Sequence, residues 1–183
     1  MAFTSLKGSD DISFAAMRPY QIALGVSYLD RGWFNLSSQA GYIRKGGKEK
    51  IPVYDNVGSA LTEYLVLKTG ADYVSVNTTF QLKRNVRREI YYVGVGPRVD
   101  FRVNHFSSFA KTDDAGLPVT IKAKPVLYGL KCELGFDYAI DRLLLGVNFS
   151  WLPTFNKQID PGYEYAFRDQ TFTLGFVAGY LLK

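Results

Sequence analysis

Apolar and polar residues alternate with a period of two along most of this chain, and helical periodicity is nearly absent. Seven segments alternate cleanly: 20–29, 33–44, 72–83, 90–103, 126–139, 142–152 and 171–182. Each runs about ten residues or more, longer than most strands of soluble proteins and the length a tilted strand needs to cross a bilayer. One face of each is apolar. The first presents Tyr20, Ile22, Leu24, Val26 and Tyr28; the sixth presents Leu143, Leu145, Val147, Phe149 and Trp151. Aromatic residues gather toward the segment ends, as an interfacial girdle requires.

The opposite face is small and polar, with Gln21, Ala23 and Ser27 in the first segment and Ser75, Asn77, Thr79 and Gln81 in the third. The charges inside the strands share that face: Arg98, Asp100, Arg102, Lys131, Glu133 and Asp137. Alternation alone fits two architectures. A soluble lipocalin-like barrel binding an apolar ligand would turn its apolar face inward; a membrane barrel would turn it out to lipid. Glycine separates them. Of 17 glycines, Gly25, Gly41, Gly94, Gly96, Gly129, Gly135, Gly146, Gly175 and Gly179 lie in the strands, all by parity on the polar face. Glycine weakens a strand unless the space is needed. The bore of an eight-stranded barrel is just wide enough for side chains to fill, so glycine there makes room for Arg and Gln. The polar face is therefore the inside.

The expectation is an all-β, antiparallel up-and-down transmembrane β-barrel of the eight-stranded type, occupying residues 19–183 behind a polar loop or N-terminal remnant at 1–18. Short turns at 30–31, 85–88 and 140–141 alternate with long polar spans at 45–71, 104–125 and 153–170, the pattern of periplasmic turns and extracellular loops. The strand-like stretch 61–68 reads as an extension of the third strand above the membrane. Seven strands are clear, whereas bacterial barrels of this type have an even number. Direction then requires a further strand ahead of residue 1; a short eighth strand within residues 3–17 is the rival. In the fourth and fifth segments, charge complementarity sets Arg98 opposite Glu133 and Asp100 opposite Lys131. Pro97 removes a ladder hydrogen bond, so a bulge is expected beside it.

Composition narrows the function. Mean hydropathy is −0.06, which an alternating membrane barrel gives as readily as a soluble protein. Single residues, Cys132 and His105, leave no disulfide, no multi-cysteine metal site and no histidine triad. No GxSxG motif accompanies His105, so a membrane-embedded hydrolase is not indicated. The net charge of +5 gathers in 44–50 and 84–88. These runs read as solvated turns, and no nucleic-acid motif accompanies them. Gly94-Val-Gly96 is a GxG without a following helix, so it reads as lumen space, not a phosphate cradle. Asp10–Asp11 and Asp113–Asp114 lack the ligand spacing of a calcium loop. No cofactor is implied, and the partners are the outer-membrane bilayer and other outer-membrane proteins. The six strand charges, with Gly94, Gly96, Gly129, Gly135, Gly146 and Gly175, are the candidate lumen set. They fill the bore with ion pairs instead of lining a conducting pore.

Four segments carry a resemblance: NLSSQAGYIRKGG from Asn35, DYVSVNTTFQLK from Asp72, YVGVGPRVDF from Tyr92 and FTLGFVAGYLLK from Phe172. They resemble the PorT-like outer-membrane β-barrel family, common in Bacteroidetes, over about residues 20–183. The resemblance implies an outer-membrane location and, through the family's namesake, an association with protein secretion. It implies no catalytic residue.

Overall fold

A computed structural model describes residues 2–7, 13–17, 20–54, 60–110, 124–156 and 168–181. Nine strands form one antiparallel sheet: β1 (Ala2–Lys7), β2 (Ser13–Met17), β3 (Gln21–Arg31), β4 (Phe34–Tyr54), β5 (Ala60–Val86), β6 (Glu89–Ala110), β7 (Val126–Ile140), β8 (Leu143–Pro153) and β9 (Arg168–Tyr180). From β3 to β9 every strand pairs with its successor, an up-and-down meander. β2 lies on the same edge of β4 as β3, with Ala15 opposite Lys48 and Ile22 opposite Tyr42. β1 pairs with both β9 and β2, which closes the ring at this end. The upper end therefore has eight strand positions around the barrel, with β2 and β3 sharing one. At the lower end, no described strand lies between β3 and β9.

The apolar face points outward. Leu134 is 55% exposed, Leu145 49% and Phe176 94%, whereas Arg98 is 2% and Glu133 5% exposed. The lipocalin-like arrangement, apolar face inward, is not the one observed. Aromatic rings form two outward bands. The upper one includes Tyr20, Phe101, Tyr128, Trp151 and Phe172, and the lower one Tyr28, Trp33, Tyr91, Tyr138 and Tyr180. Between Phe172 and Tyr180 the chain advances roughly 27 Å before tilt, close to the ~25 Å apolar band of membrane barrels. The few polar side chains on this outer face satisfy one another. Ser38 Oγ lies 3.0 Å from Tyr28 Oη and 2.8 Å from Thr78 Oγ1. Cys132 sits on the same face between Val95 and Trp151, and His105 is exposed on β6.

Several sequence expectations are corrected. The spans 45–71, 104–125 and 153–170 are loops only in part. β4 continues to Tyr54, β5 begins at Ala60, β6 runs to Ala110 and β9 begins at Arg168. Within β5, the stretch 61–68 does extend the third long strand, as expected. Polar composition points to loops, but ladder pairing with the neighbouring strands holds these spans extended. Residues 1–18 are likewise not simply a polar loop, because β1 and β2 form there; nor do they form one spanning strand. The first turn is Gly32–Trp33, not 30–31, and the others are 87–88 and 141–142.

Pro97 causes no bulge. Asn77 faces Arg98 and Phe80 faces Val95 in one unbroken register, while the β5–β6 shift falls at Asp72/Tyr73. Gly96 explains the tolerance: a Cβ there would lie 1.9 Å from the Thr78 carbonyl oxygen. The two backbones approach so closely that no extra residue is needed. The Asp10–Asp11 and Asp113–Asp114 pairs lie outside the described residues.

Candidate functional site in the lumen

The narrow bore is crossed by two linked polar layers. The upper layer centres on Lys45, an inward-facing residue of β4 that is fully buried. Its Nζ donates to Asp100 Oδ2 on β6 and Asp169 Oδ2 on β9, both at 2.7 Å, and lies over the Tyr73 ring, 5.8 Å from its centroid. Arg98 Nε lies 3.2 Å from Asp100 Oδ1, and Arg98 Nη2 donates to Thr154 Oγ1 at 3.0 Å. Thr171 Oγ1 donates to the remaining Asp169 oxygen at 2.9 Å. Ile43, Ala71, Tyr73, Leu127 and Leu152 form a small inward-facing apolar cluster of buried residues. Dry surroundings strengthen each ion pair, and they equally penalise a charge left alone.

The second layer lies below. Lys131 Nζ is 2.6 Å from Glu133 Oε2 on its own strand and donates to Gln39 Oε1 at 2.7 Å. Glu133 Oε1 accepts from Thr79 Oγ1 and Gln81 Nε2, both at 2.7 Å. Cation and anion at positions two apart on a strand point the same way, so they can pair without a cross-strand partner.

The expected cross-strand pairs are not formed. β7 is displaced from that register: Arg98 lies opposite Gly129, Asp100 opposite Leu127, Lys131 opposite Gly96 and Glu133 opposite Gly94. Size complementarity accounts for the difference. Each long charged side chain faces a glycine, except Asp100. A Cβ at Gly129 would sit 3.1 Å from Arg98 Nη2, and one at Gly94 would sit 3.2 Å from Glu133. Between β6 and β7, then, glycine opposite a long side chain sets the register, and the charges find partners across the lumen.

Of the six predicted charges, the structure brings Arg98, Asp100, Lys131 and Glu133 into these layers. Arg102 is half-buried higher on β6, opposite Tyr73, and stands outside both. Asp137 lies near the lower mouth, against Gly146; a Cβ at Gly146 would be 2.0 Å from its Oδ1. Gly135 makes room for the Tyr92 ring, and Gly175 faces Asn148. The sequence reading missed Lys45 and Asp169, the hub and one of its two carboxylates. Lys45 had been placed in a solvated basic run, 44–50, and Asp169 in a loop. The signal was parity: Lys45 continues the inward series Gln39, Gly41, Ile43, and Asp169 precedes Thr171 and Thr173 in the same phase. Among the described residues, no group of three or more His, Cys, Asp or Glu could hold a metal ion.

Against the second layer lies a cavity of about 550 Å³, lined by Gln21, Gly25, Asn148 and Gly175 and reaching the outer-face residues Phe176 and Tyr180.

No protein-family model and no curated protein matches the chain. Among solved structures, it is similar to the crystal structure of Ail, the attachment invasion locus protein of Yersinia pestis, in complex with the heparin analogue sucrose octasulfate. Identity is 12% and the TM-score 0.43, over 98% of this chain and 92% of that one.

Proposed function

We propose that the chain is an integral outer-membrane β-barrel whose lumen is closed by ion pairs, with a structural, assembly or secretion-associated role and no catalytic activity. One observation carries the reading: the large apolar side chains face outward in a continuous band while Lys45, Arg98, Asp100, Lys131, Glu133 and Asp169 are buried inside. In water this arrangement would expose a far larger apolar patch than soluble monomers carry. In a bilayer it places lipid against the apolar face. The two aromatic bands support the same setting. The secretion-associated part rests on the resemblance of four strands to PorT-like barrels.

Fractionation of cells expressing the chain tests the setting. Recovery with outer membranes, with release by detergent but not by carbonate or urea washes, is expected; recovery as a detergent-free soluble monomer would overturn the proposal. In planar bilayers the closed layers predict no steady conductance. Crosslinking in native membranes tests the role: capture of secretion or assembly components at the outer membrane supports it, and reproducible absence of such partners removes it.

A further inference from the structure

Five of the chain's ten arginines stand at the lower end of the barrel: Arg31 beside the β3–β4 turn, Arg84, Arg87 and Arg88 at and beside the β5–β6 turn, and Arg142 in the β7–β8 turn. All five are exposed. Strands β3 to β8 are consecutive neighbours in the wall, so the three turns share one continuous arc, about 24 Å long at the usual strand spacing. The basic run 84–88, which in sequence reads as a solvated turn, is thus part of a larger cationic rim.

The rim sits at the level of the lower aromatic band. Arg84 is opposite Tyr91, Arg31 is opposite Phe34, and Arg142 Nη1 donates to Tyr180 Oη at 3.2 Å. Arg84 has the parity of the outward residues Phe80 and Leu82, so its side chain leaves the wall sideways and not along the barrel axis. Among the described residues none of the five arginines makes an ion pair. Lys83 is already paired with Asp30. The remaining carboxylates of the rim outside the lumen are Glu89, which accepts from the Tyr91 hydroxyl at 2.7 Å, and Asp141. The rim therefore carries an excess of three positive charges. The arginine of the upper outer face is treated differently. Arg44 is clamped by both oxygens of Asp72, at 2.7 and 3.1 Å, and lies over the rings of Tyr20 and Phe106.

A guanidinium beside an aromatic band stands where lipid headgroups begin. Its planar fork grips two phosphate oxygens at once, and clustered basic side chains at a bilayer surface draw anionic lipid to them. We propose that the lower rim binds the phosphodiester groups of anionic phospholipid and enriches such lipid around the turns. The inference rests on the membrane reading. An acidic protein docking from the water would be met by cations aimed along the axis; side chains that leave the wall sideways among tyrosines meet lipid first.

The chain's two tryptophans report the two ends separately, Trp33 in the lower band and Trp151 in the upper. Trp151→Phe and Trp33→Phe variants keep one reporter each. Both are reconstituted into phosphatidylcholine vesicles with a minor share of phosphatidylglycerol, and bromine, which quenches indole fluorescence, is carried on the acyl chains of one lipid or the other. Brominated phosphatidylglycerol is expected to quench Trp33 as though it were about two- to fivefold enriched there, and Trp151 at the bulk level. Combining Arg31→Gln, Arg84→Gln and Arg88→Gln returns Trp33 to the bulk level. Quenching of Trp151 by brominated phosphatidylcholine stays unchanged in the matching triple variant, which shows that it still inserts. A brominated fatty acid, anionic without phosphate, is enriched less, and millimolar inorganic phosphate displaces nothing. Bulk-level quenching of Trp33 with the rim intact, equal enrichment at both tryptophans, enrichment that survives the triple variant, equal enrichment of the fatty acid, or displacement by inorganic phosphate would each overturn the proposal. Flotation with the vesicles separates the two readings. A chain that does not float overturns the membrane reading and this inference with it; a chain that floats without enrichment overturns this inference alone.

Discussion

The upper and lower halves of the lumen are built on different rules. In the upper half eight strand positions surround Lys45, Asp100, Asp169 and Arg98, and charge is matched by charge at 2.7 to 3.2 Å. In the lower half no described strand lies between β3 and β9, glycines line the inner surface, and a cavity of about 550 Å³ lies beside them. The contrast shows that a polar lumen is not uniformly demanding. Where the ring is closed and dry, every charge depends on its partners. In the lower half the demand varies with position: a Cβ at Gly146 or Gly135 meets Asp137 or Tyr92, whereas one at Gly179 meets only ordinary van der Waals contact.

The largest effect is expected from removing the hub. Lys45→Met leaves Asp100 and Asp169 buried without their shared cation, a loss of about 3 to 5 kcal/mol. Urea unfolding of the detergent-solubilised barrel measures it. Adding Asp169→Asn to that variant, which leaves Asp100 as the partner of Arg98, should recover about half of the loss; a further loss would show that Asp169 is held mainly by Thr154 and Thr171.

One layer down, Glu133→Ala leaves Lys131 with Gln39, leaves Thr79 with the Ser37 carbonyl oxygen at 3.4 Å, and takes the carboxylate acceptor from Gln81. About 3 kcal/mol is expected. The double variant with Lys131→Met should be the more stable of the two, because no charge is then stranded. The opposite order in the same unfolding experiment would remove the ionic account of this layer.

Glycine substitutions sharpen the contrast between close approach and open space. Gly96→Ala drives a Cβ against the Thr78 carbonyl oxygen at 1.9 Å, and about 1 to 3 kcal/mol is expected. Gly179→Ala meets nothing nearer than 3.6 Å and should stay within ~0.5 kcal/mol of the parent. Equal losses at the two positions would mean that the lower half is as tightly packed as the upper.

The smallest effect lies at the lower turns. Arg87 has φ of 57° and Asp141 of 54°, a left-handed conformation that costs most side chains about 1 kcal/mol. Arg87→Gly should raise stability by about 0.5 to 1 kcal/mol. Asp141→Gly should gain less, because aspartate tolerates that conformation. Thermal unfolding in detergent reads both, and a loss at Arg87 would show that its side chain contributes contacts at the turn.

The sequence by itself determined the all-β meander, the outward apolar face and the inward placement of glycine and charge. All three follow from a strand's period of two, which depends on local backbone geometry and holds wherever the chain is extended. It also carried Arg98, Asp100, Lys131 and Glu133 into the lumen by parity alone. Tertiary structure decided what period two does not encode. Strand length was one such matter: Lys45 and Asp169 lie in polar spans that look like loops and become the centre of the upper layer because pairing with β5 and with β1 holds those spans extended. Register was another. Charge matching favoured Arg98 opposite Glu133, but glycine opposite each of these long side chains, Gly129 and Gly94, goes with a different alignment. Closure was the third, since how β1 and β2 share the wall with β9 and β4 depends on the circumference of the whole barrel.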